Sequence, residues 1–486
     1  MIADRVRLRI APSPTGYLHV GNVRAALFNW LYARRHGGVF IIRIDDTDQA
    51  RSDDRYIDDV VEGFRWLDLD WDEGVAVGGP HGTYRQSERF ERYREVAEQF
   101  LDAGRAYHDF RPAGELDELR ARARREKKPP GYYIRRPAGS DPEEGRRRVE
   151  AGERGVIRFS TAGHAVEFTD LVRGEIRFEP DAIDDFVILR SDGSPTYHLA
   201  STVDDIDYRI THVARGEDLL SSTPKHILMT EALGGERPAY AHLPLLFGPD
   251  GRKLSKRHGD TALRAYREGG YLPDAVFNYM SLLGWSLDPD NEIFGREEAI
   301  QAFELTDVQK SPAVFNPEKL GWMNGVYMRS MAPEDFSDIA ADAVEEDLGR
   351  ALDGDERGRL AGLAPLIQER AKLTTDIAPA ARFLFVDVTY DEKAWRKVMK
   401  ADAPRALCAA RTLLEGIEDW RAEEIEHALR AMLAAESLNP RKGWQPIRVA
   451  ITGSNISPPL FETLEALPKE VALARITAAL ERLLGG

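Results

Sequence analysis

Near the amino end, Val6, Leu8 and Ile10 alternate with Arg5, Arg7 and Arg9, the period-two pattern of a strand with one polar face. After a short gap, apolar residues at Val23, Leu27, Trp30 and Leu31 mark a run that closes on Arg34, Arg35, His36, Gly37 and Gly38. That spacing predicts a helix over residues 23–35 with a basic last turn and a glycine stop. VFIIRI follows from Val39 to Ile44 as a mostly apolar strand. Strand, loop, helix and strand in this order predict a right-handed crossover in a doubly wound α/β sheet, which binds ligands at the carboxyl ends of its strands.

From about residue 326 the pattern changes. Apolar residues recur at three and four spacing over residues 336–348, 359–372, 402–415, 423–435 and 470–484, and strands are hard to find. The carboxyl-terminal part is predicted to be all-helical. Its apolar stripes are core and carry no chemistry.

Two segments do carry chemistry. In PSPTGYLHVGN, Pro12 to Asn22, Pro12 and Pro14 remove amide donors and stiffen the chain, while Gly16 and Gly21 allow close backbone approach. Ser13 and Thr15 lie between them, and His19 stands at the mouth of the new helix, where it can donate to a phosphate oxygen beside free amides and a positive dipole end. No GxxxxGK[ST] is present, so this is not a Walker loop. Alone, such a loop reads equally well as a simple turn with a packed histidine. The second segment, KLSKRHG from Lys253 to Gly259, places Lys253, Lys256 and Arg257 around Leu254 and Ser255 after the turn GPDGR. Mobile cations there can neutralise a pyrophosphate leaving group in the transition state. In isolation a short basic run is usually solvated surface. Together the two segments suit attack on the α-phosphate of a nucleoside triphosphate.

Composition bounds this picture without suggesting it. The 486 residues give about three domains as a length prior, and 43% hydrophobic with 30% charged residues is the balance of a soluble protein. No apolar signal core and no stretch long enough to cross a bilayer is found, so the cytoplasm is expected. The net charge of −16 argues against nonspecific nucleic-acid binding but leaves room for local basic surface. Such a concentration runs from Arg120 to Arg148 around PPGYY, where a solvated mixed-charge face is the plainer reading for most residues. The single cysteine, Cys408, excludes an internal disulfide and, in an alanine-rich helical stretch, is expected to be a small buried residue.

The chain resembles the class I aminoacyl-tRNA synthetases, with HVGN at His19 to Asn22 similar to their first motif and KLSKR at Lys253 to Arg257 similar to their second. RIAPSPTGYLHVGNVRAALFNWLYAR, RIDDTD, GPHGTYRQSER, SPTYHLA, VDD, THVARGEDLL, STPKHI, WMNGVYM and GWQPIRVAITG narrow the resemblance to bacterial-type glutamyl-tRNA synthetases over nearly the whole chain. It implies a Rossmann-type doubly wound parallel catalytic domain (1–105 and 191–250) with an α+β insertion that binds the tRNA acceptor end (106–190). A stem-contact region with the KLSKR loop (251–325) and two helical anticodon-binding parts (326–390 and 391–486) would follow. Glutaminyl-tRNA synthetases of the eukaryotic type would have β-barrels in place of the last two.

The implied activity is ligation of L-glutamate to tRNA(Glu) with ATP, by way of glutamyl-adenylate and with release of pyrophosphate. A non-discriminating enzyme that also charges tRNA(Gln), or a catalytically inactive RNA-binding homologue, stays open. The resemblance implies an ATP site of Pro12, Ser13, Pro14, Thr15, Gly16, His19, Gly21, Asn22, Lys253, Leu254, Ser255, Lys256 and Arg257, with His19, Gly21, Lys253 and Lys256 acting on the phosphates. Magnesium is expected to arrive with ATP. Glutamate needs cations for its carboxylates and an acid for its ammonium, which suggests Arg9 and Arg215, with surface pairing of these arginines to Glu217 or Asp218 as the plainer alternative. Asp45, where the family commonly has Glu, falls to the ammonium, and Ser13 and Tyr197 fall beside the substrate. Ser201 stands where relatives differ. Asn22 stands where relatives usually have Gly or His. Arg370 falls near the anticodon-reading arginine. The cysteines of the relatives' zinc site are missing from AYHDFRPAGE, and His108 alone cannot make a tetrahedral site, so no zinc is expected. Monomer is the family expectation.

Overall fold

The computed structural model describes residues 5–485 apart from 130, 139, 162 and 256–260. The chain divides into two compact units, one of Met1–Arg267 with Val276–Asn316 and one of Glu268–Ala275 with Pro317–Gly486.

In the first unit, β1 (Arg7–Ile10) enters the loop, the first helix runs Val20–Arg35, and β2 (Val39–Ile42) returns parallel to β1 with Arg7 opposite Val39. β3 (Glu73–Gly74) adds to β2, also parallel. The helix begins three residues earlier than its apolar spacing predicts, because His19 caps it from an extended conformation.

An antiparallel layer of β4 (Ala106–Asp109), β5 (Val156–Phe159) and β8 (Phe186–Leu189) carries the helices Ala113–Arg125 and Pro142–Glu150, which gives the α+β insertion. Between β5 and β8 lies the hairpin of β6 (Val166–Asp170) and β7 (Gly174–Phe178). This hairpin does not join the insertion's sheet. Asp170 of β6 pairs in parallel with Tyr240 of β10 (Ala239–Leu243), which in turn lies parallel to β9 (His212–Gly216). The entry to β9 reaches β1 through the Thr211 amide, which donates to the Arg7 carbonyl at 3.0 Å. The carboxyl ends of β1, β2, β9 and β10 therefore lie close together. Aromatic and aliphatic side chains such as Phe100, Phe159, Phe186, Leu199 and Tyr240 form a core between these layers.

The basic stretch of the insertion is mostly a solvated mixed-charge face. Arg120 pairs with Asp117, Arg122 with Glu126, and Arg148 with Glu153.

The second unit has helices and no strand among its described residues. The five helices expected from periodicity are present as Pro333–Leu348, Gly354–Gln368, Ala403–Glu415, Ala422–Ala435 and Lys469–Leu484. Asp353 and Glu356 form a capping box that starts the second of these. A further long helix, Pro440–Thr452, ends at Gly453, whose φ of 77° and close approach to the Thr389 carbonyl leave no room for a Cβ. The stripes meet in one core that includes Phe336, Leu363, Leu407, Leu429, Ile447 and Ile476.

Cys408 departs from expectation, since it is exposed. The buried stripe of its helix is Ala403, Ala406, Leu407, Ala410 and Leu414, and a residue about 200° round from Ala406 faces outward. Alanine content gave the helix but not this register.

Candidate active site

A cavity of about 510 Å³ opens at the carboxyl ends of β1, β9 and β10. Its lining brings together Arg9, Ser13, His19, Gly21, Asn22, Asp45, Tyr197, Arg215, Lys253 and Leu254, which lie up to 245 positions apart in the chain. Pro12, Pro14, Thr15, Gly16 and Ser255 do not line it. Lys256 and Arg257 lie outside the described residues, and Arg370 belongs to the second unit.

At one end of the cavity stands the mouth of the first helix. The Gly21 amide donates to Nδ1 of His19 at 3.0 Å, so Nδ1 is unprotonated and the neutral ring carries its proton on Nε2. Burial, helped by the charge of Lys253, holds the imidazole below its ordinary pKa and keeps it neutral. A Cβ on Gly21 would lie 3.3 Å from that nitrogen, so a larger residue there would press on the capping ring. The expectation of free amides at this helix end is not met. The Val20 amide donates to the Thr261 carbonyl at 2.9 Å, and those of Asn22 and Val23 both donate to the His19 carbonyl. What the helix mouth offers an anion is its dipole and the Nε2–H of His19.

Lys253 is held more firmly than a flexible loop suggests. Its residue bridges to Phe247, the Leu254 amide donates to the Leu246 carbonyl at 2.8 Å, and Leu254 is buried. The ammonium remains exposed, 3.5 Å from a carboxylate oxygen of Asp218.

The other end is built from buried charge. Arg9 does not lie on a solvated polar face of its strand, for it is 3% exposed and donates to both oxygens of Asp205 at 3.0 and 3.1 Å. Arg43 is wholly buried and grips Asp45 at 2.6 and 3.1 Å, Asp205 at 2.7 Å and the Ser201 hydroxyl at 3.1 Å. Burial raises Asp45 against the pull of Arg43, and it lifts Asp204 to about 6. Asp205 is buried too, but Arg9 and Arg43 together outweigh that and hold it below the usual carboxylate range. The roles of Arg43, Asp204 and Asp205 are not evident in the sequence, since the strings RIDDTD and VDD show acids and a base without showing that they meet.

Arg215 is different in kind. It is 5% exposed, and its donors reach neutral groups: the Tyr197 hydroxyl at 3.0 Å, Thr223 Oγ1 at 2.8 Å, the Leu219 carbonyl at 3.3 Å and Nε2 of His242 at 3.3 Å. Neither of the acids proposed as its surface partners takes it, for Glu217 binds Arg173 and Asp218 faces Lys253. Arg24, also missed by sequence reasoning, is a second buried cation on the lining. Its guanidinium donates to the carbonyls of Leu283 and Pro244, and burial lowers its pKa to about 10. Among the described residues, neither arginine has a carboxylate within ion-pair distance.

In the insertion, His108 packs against Phe110 and Gly145. Among the described residues no group of three or more His, Cys, Asp or Glu side chains could hold a metal ion. In the second unit, Arg370 lies just beyond the helix Gly354–Gln368, donates to the Ser457 carbonyl at 3.2 Å and lines a cavity of about 420 Å³.

Residues 5–322 match the catalytic domain of class I tRNA synthetases (E and Q), and residues 336–480 match an anticodon-binding domain. The chain is 45% identical to a glutamate–tRNA ligase 2 of Rubrobacter xylanophilus, over 99% of the chain and 98% of that protein. It is 43% identical to a glutamate–tRNA ligase of Streptomyces coelicolor, over 98% of each. Among solved structures, a glutamate tRNA ligase from Elizabethkingia meningosepticum in complex with its amino acid superposes with a TM-score of 0.85 at 33% identity, covering 99% of this chain and all of that one.

Proposed function

This chain belongs to the class I tRNA synthetases of the E and Q type, and we infer that it is a glutamate–tRNA ligase. We propose that it joins glutamate to ATP as glutamyl-adenylate and then to the terminal ribose of tRNA(Glu). The observation that carries the amino-acid reading is Arg215, a buried cation with only neutral partners, facing the same cavity as His19 and Lys253.

No protein nucleophile is required. The α-carboxylate of glutamate attacks the α-phosphorus of ATP, pyrophosphate leaves, and a ribose hydroxyl later attacks the mixed anhydride and releases AMP. The protein supplies alignment and charge. Arg215, with Tyr197 beside it, takes the side-chain carboxylate, which restores an anionic partner to a buried guanidinium. Arg9 is already engaged by Asp205, so it contributes positive potential and a remaining donor rather than a free fork. Asp45, tied back to Arg43, receives the ammonium with whatever lone pairs Arg43 leaves, with Ser13 nearby. His19 donates through Nε2 to the triphosphate, and Lys253, with Lys256, meets charge that grows on the leaving pyrophosphate. Magnesium arrives bound to ATP, largely through phosphates and water, and zinc has no part in this reading.

The insertion takes the acceptor end, and the helical parts 326–390 and 391–486 take the anticodon, with Arg370 as a reader that favours tRNA(Glu). No described helix is long and apolar enough to cross a membrane. A cytoplasmic monomer completes the proposal.

The test is exchange of labelled pyrophosphate into ATP with glutamate, run with and without tRNA, followed by charging of purified tRNA(Glu) and tRNA(Gln). Exchange absent under both conditions would overturn the enzyme reading. Equal charging of the two tRNAs would overturn the preference assigned to Arg370.

A further inference from the structure

Behind Arg215 lies a pair of side chains that the reaction does not touch. Asp170, at the end of β6, and His242, on β10, are both wholly buried, with Oδ2 of Asp170 2.6 Å from Nδ1 of His242. The other oxygen of Asp170 accepts the amides of Val172, Arg173 and His242 at 3.0, 2.8 and 3.1 Å. The carboxylate is thus fixed by four donors. It can only accept, so Nδ1 of His242 carries a proton, and in the neutral ring Nε2 is an acceptor. That acceptor is where Arg215 Nε arrives at 3.3 Å, with the Thr223 hydroxyl at 3.0 Å. Thr223 in turn accepts from Arg215 Nη2 at 2.8 Å.

We propose that Asp170 and His242 are positioning residues that hold the Arg215 guanidinium in the plane that grips the substrate carboxylate. The inference rests on the glutamate reading of Arg215. A guanidinium with no carboxylate partner is oriented only by neutral groups, and the wholly buried ones nearest to it are Thr223 Oγ1 and Nε2 of His242, with Nδ1 of His226 farther off at 3.5 Å from Nη1. If Nε2 of His242 carried the proton instead, two N–H groups would point at each other and the plane of Arg215 would turn. Asp170 selects the tautomer that prevents this, as carboxylates do for histidines that bind metals or bases. The hairpin that supplies Asp170 is inserted in sequence among the insertion's strands, yet it is hydrogen-bonded to the catalytic sheet beside β10. That pairing sets Asp170 beside His242.

The test is Asp170→Asn, which preserves shape but offers His242 an amide donor and so favours the reverse tautomer. The KM for glutamate is expected to rise about tenfold or more while the KM for ATP stays within about twofold. In an Arg215→Lys background, which has no guanidinium plane to orient, Asp170→Asn should change the KM for glutamate less than about twofold, the non-additivity of coupled residues. Equal rises in both KM values, or a full additional rise in the lysine background, would reduce the pair to a purely structural role and overturn the proposal. The unsubstituted enzyme run in parallel separates the two readings. If it does not activate glutamate, the functional assignment fails; if it does and the asparagine variant is unselective, only this inference fails.

Discussion

Asp205→Asn tests the charge network directly. Asp205 receives Arg9 at 3.0 and 3.1 Å and Arg43 at 2.7 Å, with little solvent at any of the three. At an effective dielectric of about 20, each of these attractions is about 5–6 kcal/mol gross, most of it offset by desolvation. Breaking a buried pair by neutralising one partner costs about 3–5 kcal/mol. Asparagine keeps one acceptor oxygen, and Arg43 keeps Asp45, so the low end applies: about 3 kcal/mol, or roughly 5 °C in the melting transition of the first unit. The pH dependence gives a second, independent readout. The folded-state pKa of Asp205 lies below its unfolded value, so its stabilisation is present above the unfolded pKa of about 3.9 and lost as pH falls through the folded value. Wild-type protein should therefore approach the variant in stability below about pH 4 and exceed it above. Calorimetry from pH 3 to 7 measures both. A variant within about 1 kcal/mol of wild type at pH 7, or a gap that does not narrow on acidification, would refute the reasoning.

Three further outcomes are expected. Lys253→Ala should lower the rate of pyrophosphate exchange about a hundredfold with the KM for glutamate nearly unchanged, as the proposed action of its ammonium on the leaving group requires; a change confined to the KM for glutamate would place it elsewhere. His19→Asn and His19→Ala should both lose about a hundredfold or more in turnover. Only the alanine variant should also lose about 1 kcal/mol of stability, because asparagine still caps the helix, and denaturant titration distinguishes them. Cys408→Ser should alter stability by less than about 0.5 kcal/mol, and complete modification of the native protein by a thiol reagent checks the exposure on which that rests.

Local pattern carried the first strand, helix and strand, because apolar residues recur through each of them and Gly37 and Gly38 punctuate the chain between the helix and β2, although burial runs nearly all round these elements rather than on one face. The helical carboxyl part was legible for the same reason. Period alone could not say what a polar face meets. The arginines that alternate along β1 look solvated until Asp205, 196 positions away, is brought beside Arg9. Likewise, the run from Pro12 to Asn22 suggested free amides for a phosphate, yet the amides at its helix mouth are occupied by His19 and Thr261, a pairing set in part by the chain around residue 261 and invisible in the motif. Arg24 looks like one more helix residue in sequence. Only the fold buries it and aims it at backbone carbonyls.

The charge of the cavity then follows from which cations are already matched. Its lining holds Arg9, Arg24, Arg43, Arg215 and Lys253 against Asp45 and Asp218, in a chain whose net charge is −16. Asp205, set behind the lining, answers Arg9 and Arg43, and Asp45 answers Arg43 again. The excess is left on Arg215 and Arg24, with exposed Lys253 tied only loosely to Asp218. A ligand pair that brings an acidic side chain to Arg215 and a triphosphate toward His19 and Lys253 satisfies both ends. An amino acid with an amide in place of that carboxylate leaves Arg215 buried and without an anion, which is how a site built around a polar group rejects an isostere. On this reading, selection of glutamate resides in the absence of a carboxylate beside Arg215 as much as in the presence of the arginine.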